Sequence, residues 1–241
     1  MSVDLVLHYL VSRAFAHGAL ITLWLTVCAL AFGILIGLTI ALLQETRTRT
    51  GQYLTLAYLW LFRGTPVLFQ IIFIYNVLPS FGIRLSAFVS GVLALSLNEG
   101  AYMAEIVRSG LQAVKSGQRT AAVALGMKGS QVMRHVVIPQ AARIVLPPIG
   151  NQMIGMLKLS ALVSVIAVED LLLVANQTAS ANFRYFEALT AAGIYYLGLT
   201  TIFMVLQNLL ERSLDPKSRA RARATSLSER MLRLPGPQLV R

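Results

Sequence analysis

The chain has 241 residues, of which 56% are apolar and only 13% charged, with a formal net charge of +11. Charge at about half the share of an ordinary soluble domain argues against a water-soluble globule. The surplus of Lys and Arg would point to nucleic acid only if it lay on a folded soluble face.

The apolar residues fall into five runs, each near the roughly 20 helical residues needed to cross hydrocarbon. The first extends from Ala14 to Leu43 and is broken only by His17. It is about twice the length of a signal-peptide core, and Arg13 makes a thin positive flank, so it predicts a retained helix. The second covers Leu54–Leu78 around Arg63, and the third covers Leu85–Val107 with Glu99 and Glu105 inside it. The fourth runs from Ile144 to Val168 around a lone Lys158, and the fifth from Ala188 to Leu210 carries no charge. Barrel strands would be about ten residues long with alternating polarity, so helices are expected. Gly33, Gly37, Gly193 and Gly198 suit close helix contacts in lipid. The expected fold is an all-α integral membrane protein of about five transmembrane helices. Residues 1–215 are expected to form one transmembrane domain, followed by a basic tail at 216–241.

Orientation follows from the Lys and Arg positions. Between the third and fourth runs lie Arg108, Lys115, Arg119, Lys128, Arg134 and Arg143, with no acid among them. After the fifth run come Arg212, Lys217, Arg219 and further arginines to Arg241. The connection between runs four and five instead holds Glu169, Asp170 and Glu187 against Arg184. The positive-inside rule puts the basic loop, about 108–143, and the tail in the cytoplasm. Counting back places the N-terminus outside and the first connection, with Arg47 and Arg49, inside. Arg84 alone disagrees. Charge placed in loops beside spans removes the nucleic-acid reading. The tail then lies against anionic headgroups or is solvated without a specific partner.

Cys28 is alone in an apolar run, and His8, His17 and His135 are scattered, so neither a thiolate nor a histidine metal site is expected. No glycine-rich phosphate loop, nucleophile–base arrangement or internal repeat appears, and no cofactor is expected.

The basic loop holds the most informative stretch. Gly117 to Ala124 is a short helix former, which Gly126 would terminate, and a second amphipathic segment, about Ser130–Val137, is expected to stop before Pro139. Such a helix–glycine–helix element could dock another protein or simply anchor the loop at the interface. In the second run, Arg63-Gly64-Thr65-Pro66 predicts a kink, because Pro66 removes a backbone hydrogen bond and Gly64 loosens the helix. In the spans, Lys158 faces the protein interior or a wet cavity. Asn98 and Glu99 lie roughly 20 Å below the outer end of run three. With Asn151 and Gln152 nearer the cytoplasmic mouth, these residues could line a path meeting both an ammonium and a carboxylate. Equally, Lys158 and Glu99 could be a structural ion pair.

The loop resembles the EAA motif of bacterial ABC-importer permeases, in which Glu-Ala-Ala is followed by Gly and then Ile-x-Leu-Pro. Ala121, Ala122, Gly126 and Pro139 fall in register, Val136 and Ile138 are conservative stand-ins, and Thr120 replaces the motif's Glu. The segments Phe62–Pro66, Gly100–Gly110 and Leu146–Gln152 are similar to the polar amino-acid permeases, which include the histidine, arginine, glutamine and opine systems. The likeness covers roughly residues 15–211. Lys158-Leu159-Ser160-Ala161-Leu162 departs from the family's frequent Lys-Asp-Thr-Ser-Leu.

The resemblance implies a type I ABC-importer permease in the inner membrane, without catalysis of its own. Its partners would be ABC ATPase subunits, a second permease subunit, an extracytoplasmic binding protein and a polar amino acid. Gly117, Thr120, Ala121, Ala122, Gly126, Ile138 and Pro139 would form the coupling element. A self-sufficient channel or carrier, or a non-transporting docking protein, stays open at this stage.

Overall fold

The computed structural model describes residues 2–45 and 48–214. Arg47 and the tail 216–241 lie outside the described residues. Helix α1 (Val3–Leu10) precedes α2 (Arg13–Glu45), a helix of 33 residues. Ser12 separates them and caps α2, its hydroxyl accepting the Phe15 N–H at 3.3 Å. Short α1 has no long apolar run to announce it. It buries Val6 and Tyr9 against Phe15 of α2 and alanines of the last helix.

The centre of the fold is the contact between α2 and α5 (Ala87–Ala113). A Cβ added at Gly33 would lie 2.8 Å from Glu99 Cβ, and one at Gly37 would lie 2.3 Å from Met103 Cβ. From α5, one at Gly100 would lie 2.6 Å from Ile36 Cγ2. The absent side chains let the two backbones touch, which replaces the missing hydrophobic drive between helices in lipid. Residue numbers rise together along this contact, so α2 and α5 run parallel. The chain between them must therefore return across the bundle.

That return is made by α3 (Arg49–Gly64) and α4 (Val67–Val77), extended by a 3₁₀ turn Leu78–Phe81. The sequence predicts a kink here. The structure has a full break, with Thr65 and Pro66 extended and the two helix axes bent by 101°. Proline disfavours helical backbone in the residue before it, and Thr65 obeys.

After α5 come α6 (Ser116–Ala124), α7 (Gly129–Val132) and a π turn Met133–Val137, which leads directly into α8 (Ile138–Leu159). The expected stop before Pro139 is therefore absent. Pro139 sits in the first turn of α8 directly behind the π turn, where the helical bonding pattern changes and can accommodate its missing N–H. Val145 packs on Gly110, Gln152 bonds to Glu99 and Val163 packs on Gly91, so α8 and the 3₁₀ turn Ser160–Ile166 run antiparallel to α5.

Helix α9 (Leu171–Asn182), which the polar residues Asn176 to Ser180 disguise as a loop, is capped by buried Asp170. The Asp170 carboxylate accepts from the Leu172 and Leu173 N–H groups. The Leu171 N–H donates to Thr22 Oγ1 at 3.1 Å, fixing α9 to α2. Helix α10 (Tyr185–Leu214) runs back, with Tyr195 donating to the Leu10 carbonyl near one end and Gln207 beside Gly150 near the other. Gly193 and Gly198 meet nothing within 4 Å, so these two open onto the outer surface rather than into helix contacts within this chain.

Among the described residues, α2, the stretch Gly129–Ile166 and Tyr185–Arg212 are long and apolar enough to cross a membrane, and the bent pair makes a fourth if it is counted as one span. Helix α5, expected as the third span, has the length with 27 residues but is not among the helices that are apolar enough. Its buried Ser90, Ser96, Asn98 and Glu99 make it the polar spine of the bundle.

Candidate functional site

Two features stand apart from plain packing: a projecting loop at one end and a pair of cavities beside α5. In the loop, α6 ends on Gly126 at φ +81°, with the Gly126 N–H donating to the Val123 carbonyl and the Met127 N–H to the Ala122 carbonyl. This is the paired-bond helix stop in which a left-handed glycine satisfies the last carbonyls. Arg119 donates to the Leu111 carbonyl at 2.8 Å, tying α6 to the last turn of α5. Thr120, in place of the motif's acid, bonds back to the Ser116 carbonyl.

The loop's faces divide sharply. Ala122 is buried with Val114, Val132, Val137 and Ala141, so it holds the hairpin together and cannot touch a partner. Gly117, Thr120, Ala121, Gly126, Ile138 and Pro139 are exposed or half-buried. Sequence reasoning passed over the two most conspicuous outward side chains, Val123 at 60% exposure and Leu125 at 84%. Their signal was two apolar residues off the face that Ala122 defines.

At the break, α3 ends in mid-bundle with carbonyls that no helical N–H can reach. Gln70 donates to the Phe62 and Thr65 carbonyls at 3.0 and 3.1 Å, and Asn98 donates to Phe62 O at 2.9 Å. Both amides are buried. Asn98, expected on a substrate path, thus also caps the broken helix. Phe62 O keeps one donor when either amide is lost and is stranded when both are, at a cost of about 1–3 kcal/mol. Gln70→Leu should therefore lower the melting temperature of the detergent-solubilised protein, and Gln70→Leu with Asn98→Ala should lower it further than the sum of the two single changes. An additive or unchanged melting temperature would show that water replaces the caps.

Beside this break lies a cavity of about 190 Å³ lined by Asn98, Glu99, Tyr102 and Gln152, among others. Glu99 is 2% exposed, and its Oε1 accepts from Gln152 Nε2 at 3.1 Å. Sequence reasoning placed Asn151 and Lys158 here too, but neither lines this cavity. Residues 152, 155 and 159 of α8 share the inward face. Residues 151 and 158, seven apart and so about 20° apart around the helix, share another. Asn151 accepts from Gln207 Nε2 of α10 at 3.0 Å. Lys158 is exposed and forms no ion pair with Glu99, which removes the structural-pair reading. A second, wider cavity of about 890 Å³ opens toward the loop end and is lined by Gln44, Gln52, Trp60, Arg63, Tyr102 and Glu105, among others. Arg63 pairs with Glu105 and stands over the Tyr102 ring, 5.5 Å from its centroid.

Residues 19–216 match the model of the binding-protein-dependent transport system inner membrane component family. The chain belongs to this family. Among the curated relatives of this inner membrane component, the arginine transport system permease protein ArgU of Corynebacterium glutamicum is 37% identical over 87% of this chain and 71% of its own length. The glutamine transport system permease protein GlnP of Escherichia coli K12 is 35% identical over 81% of this chain and 90% of its own. A crystal structure of an amino acid ABC transporter with histidines superposes with a TM-score of 0.82 at 42% identity, covering 88% of this chain and all of that one. The MetNI methionine ABC transporter superposes at 0.74 and 18% identity, which speaks for the fold alone. The inner membrane component family fits a multi-pass helical bundle.

Proposed function

We propose that this chain is the permease subunit of an ATP-binding-cassette importer that carries a polar amino acid inward across the cytoplasmic membrane. The carrying observation is one chain pairing a buried carboxylate-and-amide cavity with an exposed apolar helix tip at one end. The first suits a zwitterion, since Glu99 can meet an ammonium and the amides can meet polar groups. The second suits a protein partner.

In this reading the loop end faces the cytoplasm, following its basic residues, and the N-terminal end of α2 faces outward. ABC ATPase subunits seat on α6 through Val123 and Leu125, around Thr120, Ala121 and Gly126. Hydrolysis is theirs, and closure of the ATPase pair moves the loop as a rigid body. A second permease subunit completes the pathway, and a soluble binding protein delivers substrate outside. Residues 1–215 act as one domain, and 216–241 form a cytoplasmic tail. Lys158 belongs to the surface shared with the second permease subunit, because a cation in a span facing lipid is costly.

The test is uptake by the assembled transporter in proteoliposomes supplied with binding protein. ATP-dependent accumulation of arginine, glutamine or histidine is expected, and accumulation without ATP would establish a carrier instead. Glu99→Gln should raise the substrate concentration for half-maximal stimulation of ATP hydrolysis about tenfold or more, since a charge-assisted contact is lost. Lys158→Met should shift it less. Equal shifts, or none for Glu99→Gln, would remove the cavity from the substrate path.

A further inference from the structure

We propose that Arg63, Tyr102 and Glu105 form the gate between the Glu99 cavity and the wide vestibule at the loop end of the bundle. This rests on the reading that the Glu99 cavity is a station on the transport path, and it adds the element that closes that station on one side.

Among the described residues, Tyr102 alone lines both cavities. Asn98, Glu99 and Gln152 lie only on the inner side, and Arg63 and Glu105 only on the vestibule side. Tyr102 therefore stands where the two cavities meet. Residues 102 and 105 stand three apart on α5, which puts both on one face. Arg63 reaches them from the last turn of α3. Its guanidinium stands over the Tyr102 ring at 5.5 Å and pairs with the Glu105 carboxylate. The carboxylate holds the guanidinium, and the guanidinium holds the ring.

The surroundings separate a moving part from a frame. Arg63 and Glu105 are 40% and 42% exposed, and Tyr102 is 40% exposed. Ion pairs and cation–ring contacts this wet stabilise little, so breaking them is cheap. Gln70 and Asn98, which hold the neighbouring break, are 5% and 3% exposed. A tie meant to be permanent would resemble those amides. Gly64, directly after Arg63, meets nothing within 4 Å, and the chain beyond it is extended. The backbone on either side, at Phe62 and Thr65, is held by Gln70 and Asn98, so the guanidinium leaves the ring by rotation of the Arg63 side chain alone, and the ring then swings into the vestibule.

The test uses the assembled transporter, with its ATPase and both permease subunits, in sealed vesicles. Gly155→Cys serves as reporter in a Cys28→Ser background, because a Cβ at Gly155 meets nothing within 4 Å and residue 155 lines the inner cavity. A charged, membrane-impermeant maleimide is added to one face at a time. From the loop face, labelling should be roughly tenfold faster with Arg63→Met and with Glu105→Gln, the population shift expected when a weak contact holding one state is lost. Labelling from the opposite face should be unchanged, and Arg63→Lys should keep the slow rate. If the introduced thiol reacts from the loop face equally fast in all variants, the gate is overturned while the path stands. If it reacts from neither face in any variant, the cavity is off the path, and both readings fail.

Discussion

Leu125→Glu should detach the ATPase and leave the permease folded. The side chain is 84% exposed at the tip of α6 and supports nothing within its own subunit's core. Filling a partner's pocket with a leucine contributes about 1.5–3 kcal/mol, and a charge in its place would have to be desolvated as well. ATPase affinity should therefore fall about 30-fold or more, measured by titrating ATPase onto permease in nanodiscs. Substrate should no longer stimulate hydrolysis, while Leu125→Met should behave as the parent. Ala122→Glu should instead unfold the hairpin, because Ala122 is 5% exposed among the loop's own apolar residues. Gly126→Asp should have a smaller effect than Leu125→Glu. Open space surrounds Gly126 within this chain, so the only internal resistance to a side chain there is its φ of +81°, about 1–2 kcal/mol. Full affinity in Leu125→Glu would mean that the partner seats elsewhere.

The second large effect is at the α2–α5 contact. Gly37→Ala places a methyl 2.3 Å from Met103 Cβ and 2.9 Å from the Met103 carbonyl carbon. No rotamer change relieves a Cβ–Cβ overlap, so the helices must separate. The cost is about 1–3 kcal/mol, at the upper end of what one methyl can do. Assembled protein in the membrane should drop several-fold, and no change at Met103 should restore it, because that side chain is fully buried and the Ala104 backbone N lies 2.8 Å from the same methyl. An unchanged amount of assembled protein would mean that the two helices separate there at no cost.

What the sequence made legible, and what it hid, has a physical pattern. Apolar runs are a property of the chain alone, so the long apolar helices α2, α8 and α10 could be read directly. Gly126 and Thr65-Pro66 were legible because their constraint is local backbone geometry. The inward face of α8 was not, because it depends on which neighbour the helix meets. Gln152 faces Glu99, while Lys158, the most conspicuous residue of the run, faces out. Ala122 was assigned outward for the same reason: its burial is set by Val132 and Val137, on the far side of the hairpin. Helices α1 and α9 were missed because each is too short to form a spanning run, and tertiary anchors, Tyr195–Leu10 for α1 and Thr22–Leu171 for α9, hold them.

That anchor also sets the mechanics of the longest helix. At 33 residues, α2 is a rod about 50 Å long. It is pinned to α9 near one end by Thr22 and Gly18 and packed on α5 through its middle by Gly33 and Gly37. A rod held at two separated points cannot tilt alone, so any rotation of α2 carries α5 and α9 with it as one body. A tilt of about 5° around the midpoint would swing each tip by about 2 Å. A small displacement beside the loop is thereby delivered, undiminished and reversed in direction, to the opposite face.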